Sequence, residues 1–168
     1  MIGRIWIGLI LITALIAGVA LYYLQVYAYY TDVLPANADV ELVSVVSGVA
    51  EPIAFENFRA IDSDSSPLRY RACFDMPASL AMLTETYEIY EGASPRIAPE
   101  WFDCFDAEAI GAEIEADQAV VFTSQRNREF GIDRVVAITS AGQGYIWHEI
   151  NECGDKSYDG TPLGENCP

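Results

Sequence analysis

The sequence predicts an α+β protein: an N-terminal transmembrane helix, then a mostly antiparallel β domain with one or two short helices, stapled by disulfides. Three observations carry that prediction. The run from Ile5 to Leu24 is twenty residues long and holds no charge. Beyond it, several short stretches alternate β-branched or aromatic residues with polar ones and are separated by Gly, Asn, Asp and Ser turns. All four cysteines, Cys73, Cys104, Cys153 and Cys167, follow the apolar run, and none lies in or before it.

A chain of 168 residues has room for one domain and a small extra element. Hydrophobic residues make up 52% and charged residues 20%, enough apolar surface to build a core. Nine Lys and Arg against 25 Asp and Glu leave a net charge of −16, which repels phosphate backbones and argues against nucleic acid as a partner.

At 1.5 Å per residue the apolar run reaches ~30 Å, the thickness of a bilayer's hydrocarbon core. Arg4 precedes it, whereas Asp32, Asp39 and Glu41 follow it with no Lys or Arg before Arg59, so the positive-inside rule places the N-terminus in the cytoplasm and the rest outside. Tyr22, Tyr23, Tyr27, Tyr29 and Tyr30 crowd the outer end and Trp6 sits near the inner one, as amphipathic rings do at headgroup level. Ala14 and Gly18 form a small-xxx-small pair suited to close helix contact. A cleaved signal peptide is the alternative, since Ala28 after Val26 and Tyr27 offers a small residue. The run exceeds the usual apolar region of about 7–15 residues, and an uncleaved anchor is expected. The predicted organisation is an anchor over 1–30, a linker over 31–39 and one domain over 40–168.

An even number of cysteines on an oxidising side reads as structural disulfides. Cys153 and Cys167 bracket a segment bearing Gly154, Gly160, Pro162 and Gly164 that lets the chain double back, so they are paired, leaving Cys73 with Cys104. Chain-entropy arithmetic gives such loops roughly 3–4 kcal/mol each. With no Cys-x-x-Cys and a single histidine, His148, redox or metal chemistry is not expected at these sulfurs.

Along the domain, Val40 to Val46 and Ile53 to Ile61 read as strands, and Asp62 to Pro67 as an Asx/Ser turn. Leu68 to Asp75 alternates as a strand with two faces, and Thr84 to Tyr90 is a further predicted strand. Gly92 to Trp101, with Pro95 and Pro99, is a loop. Asp106 caps a predicted helix that runs to about Ala116. Val120 to Ser124, Ile132 to Thr139 and Tyr145 to Ile150 form a closing meander.

No catalytic, cofactor-binding or metal-binding residue is predicted. A hydrolytic site would rest on His148 alone, in an alternating terminal strand where surface or edge placement is expected. Phosphate-binding glycine loops are absent. The stretch Asp155 to Gly160 lacks calcium-loop spacing and carries Lys156. The steps Cys73-Phe74-Asp75-Met76 and Cys104-Phe105-Asp106 lack the paired cysteines that a copper-delivery site needs.

A short start, an apolar span followed by Tyr-Tyr-Leu-Gln-Val-Tyr-Ala at 22–28, and a four-cysteine acidic domain give a plan that resembles a family of uncharacterised small membrane-anchored proteins of alphaproteobacteria. The resemblance covers nearly the whole chain. It implies a single-pass protein of the bacterial inner membrane with a periplasmic domain, and it supplies no activity.

From Thr31 onward there are 25 acidic and 8 basic residues, a net of −17. A partner steered by that field is basic, such as a cytochrome c or a basic face of a respiratory or photosynthetic complex; the alternative is that the charge serves solubility. The expected function is therefore a non-enzymatic accessory or assembly subunit of a membrane complex. A periplasmic enzyme or a small-ligand- or metal-binding protein is the alternative.

Overall fold

The computed structural model describes residues 2–164. Helix α1 covers Ile2–Tyr23 and continues as a π-helical turn, Leu24–Ala28, closed by the Tyr29 N–H on the Leu24 carbonyl at 3.1 Å. Nothing interrupts α1: it holds no proline, and the Thr13 hydroxyl donates back to the Leu9 and Ile10 carbonyls, so its only mid-span polar side chain is satisfied internally. The helix is long and apolar enough to cross a membrane, and its large side chains lie outside the folded domain.

The domain contains β1 (Thr31–Asp32), β2 (Glu41–Val43), β3 (Ala50–Pro52), β4 (Glu56–Asp62), β5 (Arg71–Asp75), α2 (Leu80–Thr86), α3 (Ala107–Glu115), β6 (Ala119–Glu129), β7 (Ile132–Thr139) and β8 (Gln143–Ile150). Six strands form one antiparallel sheet in the order β1-β4-β5-β8-β7-β6, and β2 pairs with β3 in a separate hairpin. The expected closing meander is β6-β7-β8, and its last strand slots between β5 and β7 at the sheet's centre. The predicted linker contributes to the sheet, because Thr31 and Asp32 pair with Asp62 and Ile61 as an edge strand. The α+β architecture, with an N-terminal apolar helix and two short α-helices in the domain, is as the sequence indicates.

One predicted strand is corrected. Thr84 to Thr86 ends α2, and extended pairing starts only at Tyr87. Leu83 of α2 is buried and Leu80 packs beside it on the same core, a helical i, i+3 pair that outweighs the short alternation downstream. From there the Glu88 N–H donates to the Val43 carbonyl, while the Tyr90 N–H donates to the Val121 carbonyl and the Glu88 carbonyl accepts from the Thr123 N–H of β6, so this segment links the β2–β3 hairpin to the main sheet.

Alternation on the strands sorts the core into two layers. Tyr70, Ala72, Phe74, Phe122, Val136, Ile138 and Ile146 face one way, under the hairpin and α2. Cys73, Val121, Val135, Ala137 and Trp147 face the other, under α3 and Phe102 and Phe105 of the preceding loop. Phe74 fits because its cross-strand neighbour is Gly144, where a Cβ would collide with the phenyl ring. Asp106 caps α3 as expected, accepting from the Glu108 and Ala109 N–H groups at 3.0 and 3.1 Å. The predicted Cys73–Cys104 disulfide fastens the loop before α3 to β5. For Cys153–Cys167, Cys167 lies outside the described residues.

Candidate functional site

Three places gather the chemistry-bearing side chains, and two of them serve the structure. His148 is the clearest correction. On central β8 it is 4% exposed, not at a surface or edge. Arg134 Nε donates to His148 Nε2 at 3.0 Å, and a guanidinium cannot accept, so the ring is neutral with its proton on Nδ1, directed at the Pro67 carbonyl. Burial pushes the ring's pKa down to about 4, against the Pro67 bond, which raises it; the Arg134 charge lowers it further. Tyr70 stacks on the imidazole with centroids 5.2 Å apart, and the Arg134 guanidinium lies 4.2 Å over the Tyr70 ring. Both ring nitrogens being engaged, His148 holds a buried polar layer together.

The second place is on the opposite face. Arg71, also buried, donates to the carbonyls of Arg96 (2.8 Å), Leu68 (2.8 Å), Tyr70 (2.6 Å) and Ile97 (3.1 Å). Desolvation lowers its pKa to about 10. Beside it Glu149 accepts from Trp147 Nε1 and Ser94 N–H at 2.7 Å each, and from Arg96 Nη2 at 3.1 Å. The loop over 92–101 has few backbone bonds of its own, so these buried side chains supply its donors and acceptors.

The third place is the junction of anchor and domain. Trp101 Nε1 donates to the Val26 carbonyl at 2.7 Å, filling an acceptor in the last helical turn. Its indole stacks on Tyr27 at 6.3 Å and meets Tyr30 edge-on at 5.8 Å. Arg69 donates to the Gln25 carbonyl at 3.4 Å and lies over the Tyr30 ring. Of the residues singled out for the anchor, Tyr22, Tyr23 and Tyr27 form a ring cluster at this end; Trp6 projects from the opposite end, and Ala14 and Gly18 lie mid-helix with open space beside Gly18.

Strand register orders the charges along the sheet. The rows running from Ile61 through Arg71, Trp147 and Val135 lie at the anchor's end, and those through Asp75 and Gln143 at the far end. Six of the domain's seven arginines, Arg69, Arg71, Arg96, Arg126, Arg128 and Arg134, fall at the anchor's end among carboxylates. The far end carries Glu56, Asp75, Asp106, Glu113, Glu115 and Asp117, with Arg59 on its border tied to Asp103 at 2.8 Å. Acidic neighbours Glu113, Asp75 and Asp106, after burial itself, raise the pKa of Tyr145 there. Among the described residues no salt bridge reaches Glu113, Glu115 or Asp117. This segregation is invisible in the sequence, since it depends on which strands run up and which run down.

Two clefts remain. One of about 770 Å³ separates the β2–β3 hairpin from β6, with Val43, Val49 and Ala50 on one wall and Ser124, Gln125, Arg126 and Arg128 on the other. A bulge sets Ser124 and Gln125 against Arg134 alone, and among the described residues the buried Ser124 Oγ has no hydrogen-bond partner. Another of about 630 Å³ is lined by Tyr90, Glu91, Asp133, Glu152 and Asp155; burial and then Asp133 push Tyr90 up to about 12. Asp159 accepts from Ser157 and from the Thr161 hydroxyl and N–H, closing a turn in place of the calcium loop weighed for this segment. Among the described residues no cluster of three His, Cys, Asp or Glu is arranged to hold a metal.

The fold and its charges define a small antiparallel sheet domain behind an apolar N-terminal helix. Residues 40–168 match DUF6446, a family of unknown function, and the chain belongs to that family. Nothing matches it among curated proteins or among solved structures.

Proposed function

We propose that this protein is a non-enzymatic accessory or assembly subunit of a membrane complex, anchored by α1 and offering the acidic far end of its domain to a basic partner. One observation carries the reading: Glu56, Asp75, Asp106, Glu113, Glu115 and Asp117 gather at the end of the sheet opposite the anchor with only Arg59 on their border, while the other six arginines of the domain lie at the anchor's end among carboxylates of their own. Charge kept for solubility alone gains nothing from being sorted in this way, whereas a potential concentrated at one end steers a partner into one orientation. The Trp101 and Arg69 contacts to the last turn of α1 fix that end relative to the helix. A basic electron carrier such as a cytochrome c, or a basic face of a respiratory or photosynthetic assembly, has the complementary chemistry.

The setting belongs to the same reading: the inner membrane of an alphaproteobacterium, N-terminus in the cytoplasm and domain in the periplasm. Arg4 against the following acids supports the orientation. A reporter fused after Pro168 that works only in the periplasm is expected to be active; activity of a cytoplasm-dependent reporter contradicts the orientation. For the function, the full chain is purified from gently solubilised membranes. A stoichiometric basic companion that dissociates as ionic strength rises is expected, and an isolated monomer at every salt concentration contradicts the proposal.

The cleft beneath the β2–β3 hairpin favours a second reading, a small-ligand-binding role, because its size suits a small molecule and its buried Ser124 hydroxyl lacks a partner among the described residues. In that case a small molecule co-purifies and raises the unfolding temperature of the wild-type chain but not of Ser124→Val.

A further inference from the structure

We propose that the loop of residues 96–101 is a second membrane contact, resting Ile97 and Trp101 in the interfacial layer of the leaflet where α1 emerges. The proposal rests on the reading of α1 as a membrane anchor. Ile97 is 85% exposed. It is also held firmly, because buried Arg71 bonds the Arg96 and Ile97 carbonyls on either side of the Ile97 Cα and the Cys73–Cys104 disulfide closes the loop downstream. An apolar side chain fixed outward in this way is costly in water and favourable against lipid.

The location identifies the occupant. Four residues on from Ile97, Trp101 bonds the Val26 carbonyl and stacks on Tyr27, in the turn where the apolar helix ends. Tyr27 and Tyr29 stand about half exposed around the same point. Indole and phenol rings next to the end of a spanning helix occupy the headgroup layer, and any side chain fixed to the same turn is carried to that depth. Arg69, over the Tyr30 ring, adds a positive charge beside the loop suited to lipid phosphates. With both the helix and the loop seated, the domain is held at one tilt and its acidic end is turned away from the bilayer.

The test places the full chain in mixed phosphatidylethanolamine and phosphatidylglycerol vesicles carrying a photoactivatable diazirine near the headgroup end of the acyl chain, with adducts mapped by mass spectrometry. Val46, at the tip of the β2–β3 hairpin and 93% exposed, is the internal reference. Labelling of residues 97–101 several-fold above Val46, together with labelling of α1, is expected. Labelled α1 with residues 97–101 no higher than Val46 overturns the proposal and leaves the anchor standing. No labelling of α1 overturns the anchor reading itself, and this proposal with it. Ile97→Asp is expected to reduce loop labelling several-fold while α1 labelling stays unchanged; undiminished loop labelling would refute the part given to Ile97.

Discussion

The two ends of the central sheet treat charge in opposite ways. Beside the anchor, Arg71 and Arg134 are buried and their guanidinium hydrogens are spent on five backbone carbonyls and an imidazole nitrogen. At the far end, the carboxylates of α3 and the turn after it lie at the surface, and among the described residues no salt bridge reaches Glu113, Glu115 or Asp117. A guanidinium consumed inside the fold does little for the potential of a distant face, so the arginines of the anchor's end leave the far carboxylates unscreened.

That contrast predicts unequal costs of mutation. The largest belongs to Arg71→Met, which keeps the aliphatic stem but strands four carbonyls beneath the loop. With about 1–3 kcal/mol for each buried group left unsatisfied, partly relieved by entering water, a loss of about 4 kcal/mol is expected in denaturant unfolding. A change below about 1 kcal/mol would show that the loop does not depend on Arg71. Next, replacing both Cys73 and Cys104 by Ser opens a covalent loop spanning a sequence separation of 31. A loss of about 3–4 kcal/mol is expected, read in the same experiment under non-reducing conditions.

Acid should destabilise the anchor's end through His148. Its folded pKa of about 4 lies below the ordinary value of 6.5, so the unfolded chain binds the proton more tightly. The stabilisation is fully present above pH 6.5 and is lost as pH falls toward 4, on the order of 3 kcal/mol in total. His148→Gln should flatten the stability profile between those limits. A profile with the same slope in the variant assigns the effect to carboxylates elsewhere.

The smallest effects are expected at the far end. Glu113→Gln, Glu115→Gln and Asp117→Asn should each change stability by less than about 0.5 kcal/mol, because no ion pair is broken and Asn tolerates the positive φ of Asp117. A loss above about 1 kcal/mol at any of them would mean that these acids are structural after all.

How much of this was legible in the sequence follows from how local each signal is. The apolar helix, the Asp106 cap and the β6-β7-β8 meander are written in neighbouring residues, and they stand where the pattern puts them. The burial of His148 is not, since its three companions, Tyr70, Arg134 and Pro67, lie 14 to 81 positions away and meet only because β8 inserts between β5 and β7. Helix α2 was hidden because its seven residues give barely two turns, too few for a helical period to outcompete the alternation that follows. The separation of charge by ends is the least local of all, being a property of strand direction.

The central claim is that the far carboxylates make the contact, and one measurement addresses it directly. Retention of the basic companion on the immobilised full chain is followed against ionic strength for wild type, for the triple variant Glu113→Gln, Glu115→Gln, Asp117→Asn, and for a control, Asp64→Asn with Glu152→Gln, altered at the anchor's end. The account predicts that the triple variant at low salt retains no more companion than wild type at high salt, while the control follows wild type. Equal, salt-dependent retention by all three proteins would contradict it.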